Sequence, residues 1–85
     1  MGPRLSRQAR QILRLLEMRW KQAAERGVGP PAEWGWVSRL ELVGMGHRSH
    51  RERIRDLREA GYAIENRREY TGAVRDSCYR LRTQN

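Results

Sequence analysis

The sequence has one cysteine, no phenylalanine and one lysine. It also has no long apolar run. Each scarcity excludes something. A lone Cys78 cannot form an internal disulfide, so a bridge-held secreted scaffold is ruled out and a reducing compartment is expected. No apolar stretch approaches the ~20 residues of a membrane span. Met1-Gly2-Pro3-Arg4 has none of the apolar character of a secretion leader, which makes the cytoplasm the expected location. His47 and His50 with a distant Cys78 are too few ligands for a zinc site, so neither a metal nor another cofactor is expected. The chain also lacks a Ser/His/Asp set, a phosphate loop and a carboxylate cluster in a pocket-forming context, so no enzyme is expected.

Positive charge is what the chain has in quantity. The formal net charge is +8 over 85 residues, and 17 of the 18 basic side chains are arginine. The isoelectric point is near 11.2. A polyanion is the natural partner of such a balance. A G- and C-rich coding sequence accounts for much of the arginine-to-lysine ratio but not for the net excess. Mean hydropathy is low, −0.95, yet the apolar residues are grouped, which points to a folded chain. The length suits one domain, 1–85, with residues 1–4 and 83–85 expected as frayed ends.

Ser6 reads as an N-cap and Gly27 as a stop, which predicts a helix to about Arg26. Leu5, Ala9, Ile12, Leu13, Leu16, Trp20 and Ala23 share one face of it, while Arg7, Arg10, Arg14 and Lys21 lie opposite. Leu15 and Met18 fall off the apolar stripe and are candidates for self-association. Gly29-Pro30-Pro31 forces a loop, followed by a short strand at Trp36-Val37. Ser38-Arg39-Leu40-Glu41 is a capping box opening a short helix over about 39–44, with Leu40 and Val43 as core candidates. After a turn at Gly44-Met45-Gly46, Ser49-His50-Arg51-Glu52 is a second such box. It opens a helix to about Ala60, with Ile54, Leu57 and His50 facing inward.

Beyond Gly61 the period changes from 3.6 to 2. Tyr62, Ile64 and Asn66 point one way, and Ala63, Glu65 and Arg67 the other. Cys78 to Arg82 makes a matching strand with Tyr79 and Leu81 buried. The polar stretch Arg68 to Ser77 reads as a long hairpin loop. Helix, short strand, two capped helices across a glycine turn, and a hairpin make an α+β domain of winged helix-turn-helix type.

The run Arg53-Ile54-Arg55-Asp56-Leu57-Arg58-Glu59-Ala60-Gly61-Tyr62-Ala63-Ile64-Glu65 resembles the helix-to-wing segment of small winged-helix proteins common in phages and prophages. Those read roughly Arg-Ile-x-x-Leu-Arg-x-x-Gly-Tyr-x-Ile-Glu and end in a Tyr-x-Leu strand, as Tyr79-Arg80-Leu81 does here. The resemblance covers about residues 8–82 and implies a winged-helix fold that binds DNA through its third helix. Trp34-Gly35-Trp36 and the long wing loop depart from the usual short versions.

Residues 47–58 carry five arginines and two acids, a net of +3. Arg48, Arg51 and Arg55 cluster opposite the inward stripe of the third helix, with Arg58 at the edge. If the helix start enters the major groove, Arg51 and Arg55 can fork onto guanine O6 and N7. Glu52 accepts from a cytosine amino group or caps the helix, and Ser49 with the first N–H groups suits a phosphate. Arg48–Glu52 and Arg55–Glu59 are spaced as compensating pairs, which also fits a solvated face. Arg53 on the flank either contacts DNA or pairs with Asp56. Arg67, Arg68 and Arg75 surround the expected wing tip, and Tyr70 is the one aromatic placed to stack on a base. The three tryptophans read as core. Few aromatics are free to stack on single strands, which disfavours RNA.

Two classes of function fit. One is sequence-specific binding of double-stranded DNA by a transcriptional or mobile-element regulator. The other is a winged-helix protein-interaction module, because fold alone does not fix function. A module of the second kind exposes an apolar patch, whereas a DNA reader gathers arginine on the third helix and wing.

Overall fold

A computed structural model describes residues 5–71 and 74–82, with the side chains at 69–71, 74 and 75 outside the description. The expected frayed ends therefore lie outside the described residues. The chain is α+β: three helices and a three-stranded antiparallel sheet. Among the described residues, no helix is long and apolar enough to cross a membrane.

α1 spans Arg7–Arg26. The Ser6 hydroxyl accepts from the Ala9 N–H at 3.1 Å and satisfies one of the donors that a helix start leaves open. At the other end Gly27 takes φ 62°, a left-handed turn open to glycine, and donates back to the Ala23 carbonyl. Ala9, Ile12, Leu13 and Leu16 are buried, as their spacing predicts. Leu15 is half-buried against the same core, so of the two proposed self-association residues Met18 alone stands exposed.

β1 is Val37–Ser38 and runs directly into α2, Arg39–Gly44. Ser38 caps α2 by accepting from the Glu41 N–H at 3.1 Å. The reciprocal half of the box does not form, because Glu41 turns its carboxylate to Arg19 of α1. The expected core pair on α2 is corrected: Leu40 and Val43 are exposed, at 57% and 39%, and Leu42 is fully buried. Six residues give less than two turns, too few for apolar spacing to fix which side faces in. The phase is set instead by Ser38, held to Cys78 across the sheet, and by the Arg19–Glu41 pair.

The chain then turns tightly. Gly46, at φ 93°, donates to the Val43 carbonyl, and His47 donates to Leu42. α3 follows over His50–Glu59. Its expected capping box is absent. Ser49 has φ −92° and ψ 31°, turn geometry rather than the extended backbone of a capping serine, and its hydroxyl makes no cap bond. Ile54, Leu57 and His50 are buried as predicted.

β2, Ile64–Thr71, and β3, Val74–Leu81, pair from Ile64↔Leu81 to Thr71↔Val74. The hairpin is therefore longer than its sequence suggests. Most of the stretch read as loop, Arg68 to Ser77, is strand. Its few apolar residues, Tyr70, Ala73 and Val74, do not alternate with polar ones in a regular period of two, so the stretch carries no clear strand signal. β3 is central, between β1 and β2.

One core joins Ile12, Leu16, Val37, Leu42, Ile54, Leu57, Ile64, Tyr79 and Leu81. Burying each large aliphatic side chain stabilises the fold by about 1.5–3 kcal/mol. On the outer face of the sheet the Trp34-Gly35-Trp36 element acts as a staple. Trp34 meets Trp20 edge-on at 6.1 Å, while Trp36 lies under the Arg67 and Arg80 guanidinium groups at 4.3 and 4.6 Å. Gly35, at φ 80°, passes so close to Trp20 that a Cβ would sit 3.0 Å from it. Arg80 also donates to the carbonyls of Pro31, Ala32 and Trp34.

Candidate nucleic-acid interface

α3 carries its buried stripe inward and its charge outward. Arg48, Ser49, Arg51, Glu52 and Arg55 are all exposed. Arg55 faces Glu59 at 4.0 Å with both side chains about two-thirds exposed, a pair that water and salt weaken readily. Glu52 does not compensate Arg48. It pairs with its neighbour Arg53 at 3.3 Å.

The two flanks of α3 are used differently. On one, Arg53 reaches the Ser6 hydroxyl of α1 at 3.4 Å and Asp56 at 3.4 Å, and its side chain is only 24% exposed. Its guanidinium ties the start of α1 to α3 and pairs with Asp56, as its spacing allows. On the other flank, Arg58 donates through Nε and Nη2 to the Ile64 carbonyl at 3.3 and 2.9 Å. That bond clasps the start of the hairpin to the helix.

Between this second flank and the inner face of the hairpin lies a groove of about 260 Å³. Arg51, Ile54 and Arg58 form one wall; Asn66, Arg68, Ser77 and Tyr79 form the other. Its register explains the second wall: Asn66 pairs with Tyr79 and Arg68 with Ser77, so all four share the face that carries Ile64 and Leu81. Among the described lining residues none is acidic. Ile54 and Tyr79 supply apolar surface beside three guanidinium groups, an arrangement suited to a phosphate-bearing strand. Asn66 and Ser77 are additions to the expected site. The alternation from Ile64 already puts Asn66 on this face, whereas Ser77 was hidden in the apparent loop.

The hairpin arginines separate. Arg68 lines the groove. Arg67 sits opposite Cys78 on the outer face, stacked on Trp36 and paired with Glu33 at 3.0 Å, which removes it from the expected tip. The Arg75 backbone pairs with Tyr70, and the side chains of both lie outside the described ones.

Behind the groove, His47 and His50 are each 5% exposed. Nδ1 of His47 and both ring nitrogens of His50 are buried without a hydrogen-bond partner, and His50 meets Tyr79 edge-on at 5.9 Å. Burial lowers the His50 pKa; the His47 backbone opposes this, and the Arg51 and Arg39 charges add to the lowering. Among the described residues, no three His, Cys, Asp or Glu side chains gather as a metal site would require.

Compared with known proteins, no family model matches the chain, and no curated protein or solved structure matches it.

Proposed function

We propose that this chain is a winged helix-turn-helix protein that binds duplex DNA sequence-specifically, with α3 as recognition helix and the β2–β3 hairpin as wing. The observation that carries this reading is the groove where Arg51 and Arg58 of α3 face Asn66, Arg68 and Ser77 of the wing. A DNA backbone strand seated there leaves the exposed start of α3 pointing at the major groove. Arg51 and Arg55 then reach base edges, Glu52 accepts from a cytosine amino group, and Arg48, Ser49 and Arg68 hold phosphates. The use proposed for that binding is regulation of transcription or of a mobile element.

A different observation favours a protein-interaction module. Leu40, Val43 and Met45 are exposed together on and beside α2, 57%, 39% and 54% in turn. Charge favours the DNA reading, since a net +8 calls for a polyanion more strongly than three apolar side chains call for a protein.

Selecting bound sequences from a random duplex library, then titrating the winner at several salt concentrations, tests the proposal. With about six phosphates engaged, log K falls with log salt at a slope near −5. Absence of binding at low salt, or a flat salt dependence, overturns it.

A further inference from the structure

A second concentration of charge lies away from the groove. Arg7, Arg10 and Arg14 stand exposed on the outer side of α1, and with Gln11 they line a shallow groove of about 290 Å³. Their spacing of three and four residues stacks them on one face of the helix. Among the described residues none of the three joins an ion pair. Glu17, three residues beyond Arg14 on the same face, makes no ion pair with it.

This placement works against the helix. The positive end of the α1 dipole lies at its N-terminus, where acids stabilise and cations destabilise. The first turn of α1 has no acid and begins with Arg7. Arg7–Arg10 and Arg10–Arg14 are also like-charge neighbours, which repel. A bound polyanion reverses both effects.

The face lies on α1 and shares no lining residue with the α3–wing groove. α3 meets α1 along the flank where Arg53 reaches Ser6, and meets the wing along the opposite flank, where Arg58 clasps Ile64. α1 turns Ala9, Ile12, Leu13 and Leu16 into the core and its three arginines the other way. The three arginines of α1 and the arginines of the α3–wing groove therefore belong to separate surface depressions.

We infer that Arg7, Arg10 and Arg14 form a second duplex-binding surface, so that one molecule holds two DNA segments at once. The identity of the polyanion rests on the proposed DNA reading; the existence of a separate surface rests on α1. Contacts there are to phosphates, the sequence-independent part of duplex binding.

Two short duplexes of the same selected sequence, one carrying a donor dye and one an acceptor, test this with the wild-type protein and two variants. Energy transfer between duplexes is expected to peak near one protein per two duplexes and to decline in excess protein. R7Q/R10Q/R14Q, which keeps good helix formers, is expected to weaken transfer by at least about tenfold while single-duplex affinity, read by anisotropy, stays within about twofold. R51Q/R55Q is expected to lower the single-duplex affinity itself. Circular dichroism checks that each variant is folded. Three results overturn the inference: no transfer in the wild type although single duplexes bind; transfer that survives R7Q/R10Q/R14Q, which assigns bridging to protein self-association; or a loss of single-duplex affinity in that variant as large as its loss of transfer, which puts α1 in the first footprint. If the wild type binds no duplex at low salt, the DNA reading fails and the second surface fails with it.

Discussion

Arg58 in the last turn of α3 holds the Ile64 carbonyl at the first residue of β2, with Nε and Nη2 at 3.3 and 2.9 Å. The same guanidinium lines the groove between helix and hairpin. One side chain thus sets the angle of the hairpin against α3 and contributes charge to the surface that the angle creates.

That double use predicts a split between charge and shape. Arg58→Ala is expected to cost about 1 kcal/mol of stability through the lost bond, and to weaken DNA binding. Arg58→Lys keeps the charge but not the two-pronged fork. If Lys restores DNA affinity fully, Arg58 acts only as a charge and its clasp is irrelevant to the site.

Base reading and backbone holding are expected to separate by residue. Arg51→Ala or Arg55→Ala should cost ~1–3 kcal/mol on the selected duplex and narrow its advantage over random DNA. Arg68→Ala should weaken both duplexes alike and make the salt slope shallower by about one unit. Affinities for both duplexes at one salt concentration decide the matter. Preference erased by the Arg68 change and untouched by the α3 changes would make the wing the reader.

On α2, burial sets the expected order of damage. Leu42→Ala should destabilise by ~2–4 kcal/mol as a buried large-to-small change. Leu40→Ala should stay within about 0.5 kcal/mol because the side chain is exposed. Chemical denaturation of both variants compares them directly, and equal losses would mean that α2 packs with another face inward.

Buried His50 makes stability depend on pH. Its folded pKa lies below the ordinary 6.5, so the unfolded chain takes up the proton first as pH falls. The His50 contribution is therefore fully present above pH 6.5 and is lost as the pH drops below it. His50→Gln should flatten the fall in melting temperature between about pH 7 and pH 5. A wild-type melting curve already flat across that range would contradict this assignment.

Local signals were enough for much of the chain. Ser6 and Gly27 bound α1 because a capping oxygen and a left-handed glycine act over a few residues. Spacing put Ile54 and Leu57 inside α3 because ten residues span several turns. The change to a period of two announced the hairpin, and its register put Tyr79 and Leu81 in the core. Tertiary packing decided the rest. α2 is too short to carry its own phase, so its partners β3 and Arg19 chose Leu42. The Ser49 cap depended on a backbone angle set by the turn before it. Above all, the arginines could not be sorted from sequence. A long flexible side chain takes whichever acceptor the fold brings within reach, and those acceptors are distant in the chain: Ser6 for Arg53, Glu33 and Trp36 for Arg67. Sequence fixed how much positive charge there is; only the packed chain determined which of it is bound inward and which is left for a partner.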